Sequence, residues 1–148
     1  TAKLRAGLYQ VAYSAKSDRL FVTAASRSGG AALLKLNPKT LAIEASMPAA
    51  KAEGRDAVYA PYGVGVDDAH GNVWVTNTRQ DTVGVYRQSD LSLVKQLEDD
   101  LVAHSRDVVV DTKRNKVYVS GRGPIVVFDA KTLKKIGQIE IGRGNLID

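Results

Sequence analysis

The 148 residues contain no cysteine, and that absence alone excludes disulfides, thiol nucleophiles, thiolate-held zinc and covalently attached haem. Long apolar runs are missing too. Stretches such as Val108-Val109-Val110 and Ile125 to Phe128 fall far short of the ~20 residues that cross a bilayer as a helix. No segment carries a sustained 3.6-residue apolar period, so helices are not expected. Thr1 is preceded by neither an initiator Met nor an apolar leader. This predicts either a signal peptide already removed or a segment that begins inside a longer gene product. Histidine is scarce, with two residues in the chain, which leaves too few imidazoles for an all-His metal site.

What is present reads as an ordinary soluble fold. Hydrophobic residues make up 44% and charged residues 25%, close to the globular average and unlike a disordered chain. The formal net charge is +5, from 21 basic and 16 acidic residues. That balance mildly favours acidic partners.

One unit recurs three times. It reads VAYSAKSDRLFVTAAS from Val11, VGVDDAHGNVWVTNT from Val64, and VVVDTKRNKVYVSGR from Val108, at spacings of 53 and 44 residues. After each copy come an apolar stretch (Leu33–Leu36, Val83–Tyr86, Ile125–Phe128), a polar turn ending in leucine (Leu41, Leu91, Leu133) and a last short apolar stretch. Each copy therefore predicts four short strands rich in Val, Ile, Leu and Tyr, bounded by Gly, Asp, Asn, Lys and Ser. Four antiparallel strands every ~40–45 residues is the period of a β-propeller blade, as in WD40-like repeats. The chain is read as all-β, with blades over residues 7–48, 60–98 and 104–141, and residues 142–148 opening a further blade or forming a tail.

Val73-Trp-Val-Thr-Asn77, with Asp81-Thr-Val-Gly-Val-Tyr86 after it, resembles the repeat of the YVTN β-propeller family. Val117-Tyr-Val-Ser-Gly121 and Leu20-Phe-Val-Thr-Ala24 are looser versions. From about Gly7 to Ile141 the chain is similar to the N-terminal half of the YncE-like periplasmic propellers. The resemblance implies a seven-bladed ring, export to the periplasm and a single-stranded DNA-binding role. Such a ring needs about 300 residues at this repeat length. The three blades are therefore expected to be part of an incomplete ring, with two apolar faces waiting for further blades of the same gene product or of another copy.

On a propeller template, the loops joining second to third strands and the loops joining one blade to the next open on one face of the disc. Six of the ten arginines fall in these loops: Arg27, Arg55, Arg79, Arg106, Arg122 and Arg143. Of the lysines, only Lys51 joins them. Arg binds phosphate bidentately and stacks on bases. Tyr59 and Tyr62 in the same loops offer stacking surfaces. Arg27, Arg55, Arg79, Arg106, Arg122, Tyr59 and Tyr62 are thus the candidate nucleic-acid-binding residues. A plainer account stands beside this one: Glu53, Asp56, Asp81, Asp99 and Asp100 share the face, and ion pairs between blades would be purely structural.

Trp74 alternates away from Val73 and Val75 and reads as inter-blade packing. Asp67, Asp68 and His70 lie in a hairpin turn that could hold a cation, but a turn needs Asp, Gly and Asn in any case. His104-Ser105-Arg106-Asp107 contains triad residue types, yet neighbours on an extended chain point to alternate sides and cannot form a relay. The glycine-rich Ser28-Gly29-Gly30 and Gly121-Arg122-Gly123-Pro124 lack the strand-to-helix setting of a phosphate loop. No catalytic residue, metal site or cofactor is assigned. The reading is a periplasmic binding or scaffold protein that turns an arginine-bearing face to an anionic partner, single-stranded nucleic acid being one such. The alternatives are an interaction module for an envelope protein, and half of a propeller enzyme whose active residues lie on further blades.

Overall fold

A computed structural model describes residues 6–26, 30–54 and 57–140. Twelve strands form three four-stranded antiparallel meanders, each running in sequence order. The first holds β1 (Leu8–Ser14), β2 (Arg19–Ala24), β3 (Ala32–Leu36) and β4 (Ile43–Pro48). The second holds β5 (Val64–Asp67), β6 (Asn72–Asn77), β7 (Thr82–Arg87) and β8 (Leu93–Gln96). The third holds β9 (Val108–Asp111), β10 (Lys116–Val119), β11 (Ile125–Asp129) and β12 (Lys135–Ile139). β1 lies against β5, and β5 against β9, so the first strands gather on one axis. The fourth strands form the exposed rim. Among the described residues no sheet closes on itself. The arrangement is an arc of a β-propeller, three blades of an incomplete ring.

Alternation along the middle blade explains why the sheets stack. Val73 and Val75 on β6, with Val64, Val66 and Tyr86 beside them in register, face blade 1 and meet Phe21 and Leu33. Trp74, Val83 and Val85 point the other way and meet Val117, Val119, Val126 and Phe128 of blade 3. Trp74 is fully buried, and its ring lies 5.7 Å from that of Phe128. A sheet buried on both faces shows this in its sequence: either parity is apolar, as in Val73-Trp-Val.

The repeated leucine after each polar turn is the element that fits blade to blade. Leu41, Leu91 and Leu133 all adopt left-handed backbone, with φ of 60°, 61° and 64°. Each donates its N–H to the carbonyl four residues back, on Asn37, Arg87 and Asp129, at 2.8–2.9 Å. That conformation costs a non-glycine residue about 1–2 kcal/mol, and burying a leucine returns about 1.5–3 kcal/mol. Leu91 is 0% exposed in the cluster with Phe21 and Leu33 of blade 1, and Leu133 is 8% exposed in the cluster with Trp74, Val83 and Val85 of blade 2. Each is a peg driven into the preceding blade. Leu41 has no preceding blade among the described residues and is 37% exposed. It borders an apolar groove of about 290 Å³ with Leu8, Val11, Leu20, Val22 and Leu36. At the other end of the arc, Val109 and Ile139 are similarly bare.

Polar ties reinforce the stack near the axis. Gln10 on β1 accepts the Val64 N–H at 2.9 Å and donates to Asp107 Oδ1 at 2.6 Å, so one side chain joins all three blades. The threonine of the repeated Val-Thr pair holds the lead-in to the next blade. Thr23 Oγ1 donates to the Tyr62 carbonyl, and Thr76 Oγ1 to the Arg106 carbonyl at 2.9 Å. Both threonines are fully buried. Among the described residues helix is confined to one 3₁₀ turn, Thr78–Gln80, between β6 and β7. Three residues are too few to leave a helical period in the sequence.

Candidate nucleic-acid interface

Four chain segments, from three blades, meet where the lead-in loops reach the axis. They enclose a cavity of about 290 Å³ lined by Tyr9, Tyr62, Thr78, Arg79, His104 and Arg106. Each residue is there for a local reason. The register between β1 and β2 shifts between Leu8 and Val11, and the bulge releases Tyr9 and Gln10 from the strand alternation; bulges commonly re-aim side chains in this way. Gln10 then turns inward to bridge the blades, while Tyr9 stands edge-on to Tyr62, with centroids 5.3 Å apart and planes at 86°. Tyr62 is fixed from both sides, its N–H donated to the Thr76 carbonyl at 2.9 Å and its carbonyl accepting from Thr23.

Arg79 is the middle residue of the 3₁₀ turn and is exposed. The turn is anchored at one end by Asn77, whose amide donates to the Tyr59 and Ala60 carbonyls, and at the other by Asp81 in left-handed backbone. Thr78 Oγ1 donates to the Ser105 carbonyl at 2.6 Å and so ties the turn to the next lead-in. That lead-in is close-packed. A Cβ at Gly63 would collide with the Arg106 carbonyl, and one at Gly121 with the Ala103 carbonyl. The chain therefore needs glycine at both positions for the loops to approach.

His104 and Arg106 alternate onto the same side of this segment. Arg106 Nη2 lies 3.1 Å from His104 Nε2. A guanidinium only donates, so the ring nitrogen is the acceptor in this contact. The nearby acids are held elsewhere: Asp81 accepts the His104 N–H at 2.6 Å, and Asp107 accepts from Gln10. Neither lines the cavity. Among the described residues the ion pairs are Arg19–Glu44, His70–Asp67 and Arg114–Asp111, so Arg79, Arg106 and Arg122 are not tied to a carboxylate there. Among the described residues these three arginines make none of the inter-blade carboxylate pairs that the sequence allowed, and Asp56, one of the carboxylates named for them, lies outside the described residues.

Of the residues singled out from sequence, Tyr62, Arg79 and Arg106 come together. Arg122 is exposed on its own loop, with its backbone N–H on Ala103, and does not line the cavity. Tyr59 is committed to structure. Its hydroxyl donates to Asp99 at 2.9 Å, straps the long insertion to the next loop, and is raised above the usual phenol range by that bond and by burial. Arg27, Arg55 and Arg143 lie outside the described residues. Tyr9, Thr78 and His104 were missed as site residues. His104 alone left a sequence signal, its two-residue spacing from Arg106. Arg79 also borders a second cavity of about 450 Å³, with Ala25, Ala31, Val58 and Ala60 on its walls.

The hairpin turn of blade 2 holds Asp67 and Asp68 in structural bonds. Asp67 binds the Ala69 and His70 N–H groups and the His70 ring, the last at 2.7 Å. Asp68 accepts from Ser14, Gln88 and the Lys16 N–H. No group of three or more metal-ligating side chains occurs among the described residues, and no described helix is long and apolar enough to cross a membrane.

No family model matches the chain, and no curated protein matches it. Among solved structures the chain is similar to KlHsv2 in a form whose loop 6CD is replaced by a Gly-Ser linker: TM-score 0.62, 13% identity, covering 92% of this chain and 40% of that one. It is also similar to a functionally unknown protein from Desulfotomaculum acetoxidans, with TM-score 0.53 and 10% identity, covering 95% of this chain and 58% of that one. The match to apo AztD from Citrobacter koseri has a TM-score of 0.42 at 15% identity, covering 96% and 50%. At such identities the likeness concerns fold alone, and KlHsv2 is propeller-like. The chain spans 40–58% of the length of these structures.

Proposed function

We propose that this chain is part of a β-propeller binding protein that takes an anionic partner, single-stranded nucleic acid, on its loop face. The observation that carries the reading is the convergence of Arg79, Arg106 and His104 with Tyr9 and Tyr62 around one cavity whose lining includes no carboxylate. Single-stranded nucleic acid is bound by this combination, cations for the backbone and aromatic faces for the bases. On the same reading further blades cover Leu41 and Val109 to complete the ring, and the location is the periplasm, as in the exported propellers that the repeats resemble.

The test is salt dependence. Two phosphate contacts give a slope of log affinity against log salt of about −1.4 for a single strand. Arg79→Glu with Arg106→Glu should abolish that slope and weaken binding of a labelled ten-residue oligothymidylate. Lys113→Glu with Lys116→Glu, in the β9–β10 hairpin away from these loops, makes the same net charge change and should leave both nearly intact. Equal losses in the two double variants would reduce the interaction to general basicity and remove the site.

A further inference from the structure

The local charge around the cavity is close to balanced. Arg79 and Arg106 line the cavity, while Asp81 and Asp107 belong to the same chain segments, accepting from the His104 N–H and from Gln10. A site of this kind attracts a distant polyanion only weakly, because opposite charges within a few ångströms cancel beyond about a Debye length, ~8–10 Å. What survives is short-range: two planar donors and two aromatic rings. The cavity of about 290 Å³ is at the small end of ligand sites, about 300–1,000 Å³, and suits one compact group. Tyr9 is 49% exposed. The edge-on packing with Tyr62 at 86° steadies the pair without a parallel stack between them, so ring face remains for a planar ligand. Thr78 and the lone-pair arrangement of His104 with Arg106 hold the donors in place.

We propose that this cavity is a subsite for a single nucleotide unit, its phosphate on the guanidiniums of Arg79 and Arg106 and its base on the ring of Tyr9. The proposal rests on the anion-binding reading above and sharpens it: recognition needs base and phosphate together, not phosphate charge alone. Arg79 and Arg106 offer forked donors that match phosphate oxygens. Tyr9 offers a face that any base can use, so the site distinguishes nucleotides from simple anions without choosing strongly among bases.

Thymidine 5′-monophosphate, thymidine, inorganic phosphate and a short polyphosphate are titrated into the whole chain by calorimetry, with the ten-residue oligothymidylate as reference. The monophosphate should bind at least about fivefold tighter than either thymidine or phosphate, the low end of what base–aromatic stacking contributes. Tyr9→Leu should bring it down to the level of phosphate and leave phosphate itself unchanged, while Tyr9→Trp should retain or tighten it. Should Tyr9→Leu disturb the fold, Tyr9→Trp and the ligand series still decide. Equal binding of monophosphate, phosphate and polyphosphate would overturn the nucleotide subsite and leave the anion-binding reading standing. If neither the oligothymidylate nor polyphosphate binds at all, that reading falls, and the subsite with it.

Discussion

Replacing the leucine pegs by glycine turns the blade-stacking account into numbers. In all three turns the substitution relieves the same left-handed strain, about 1–2 kcal/mol, and adds the same glycine entropy cost, about 0.5–1 kcal/mol. The difference lies in what the side chain touches. Leu91 is fully buried against blade 1 and Leu133 nearly so against blade 2. Removing a core leucine costs about 2–5 kcal/mol, so at the middle of these ranges Leu91→Gly and Leu133→Gly should each lose about 3 kcal/mol net. Leu41 is 37% exposed on the open face, and its smaller loss of burial roughly cancels the relieved strain. Leu41→Gly should lie within about 1 kcal/mol of the parent. Urea titration separates the cases. With an m-value of about 2 kcal/mol per M, the buried pegs shift the midpoint by about 1–2 M and Leu41 by less than about 0.5 M. A Leu41→Gly shift as large as that of Leu91→Gly would mean that the face of blade 1 is already covered in this chain, and the open-arc account would fail.

Two further predictions concern the polar ties. Thr76→Val keeps the shape but leaves the buried Gly63 N–H and the Arg106 carbonyl without the hydroxyl that satisfies both, at 2.8 and 2.9 Å. Each orphaned group costs about 1–3 kcal/mol, so a loss of about 2 kcal/mol or more is expected in urea; a neutral result would discount the threonine tie. Asp68 is partly desolvated, which opposes its charge, but bonds from Gln88, Ser14 and the Lys16 N–H outweigh this and hold its carboxyl below the usual 3.8. Its contribution is therefore present above the unfolded value and lost as pH falls through the lower folded one. Asp68→Asn should be less stable than the parent at pH 7, with the gap closing toward pH 3. A gap independent of pH would contradict the assignment.

Period and parity made the architecture legible before any coordinates. The recurrence of Val11, Val64 and Val108 marked the first strands, and the apolar residues of both parities in Val73-Trp-Val marked sheets buried on two faces, which is where Trp74 and all five of Val64, Val73, Val75, Val83 and Val85 are found. The loop face was legible in part. Tyr62, Arg79 and Arg106 could be gathered because blade topology assigns their loops to one side. Tyr9 could not, because its direction depends on a bulge that no residue pattern announces. Tyr59 and Arg122 have the right type and the right loops, but Tyr59 is held by Asp99 and Arg122 stands on a loop that does not reach the cavity. Residue type names what a side chain can do; only packing decides whether it is free to do it.

The loop-face site is tested most directly by following backbone amide shifts of the ¹⁵N-labelled chain as oligothymidylate is added. The account predicts that the earliest and largest shifts fall on Tyr9, Tyr62, Thr78, Arg79, His104 and Arg106, around the cavity they line. Shifts centred instead on Lys113 to Lys116, or on the peripheral groove of Lys95, Lys134 and Lys135, would contradict it.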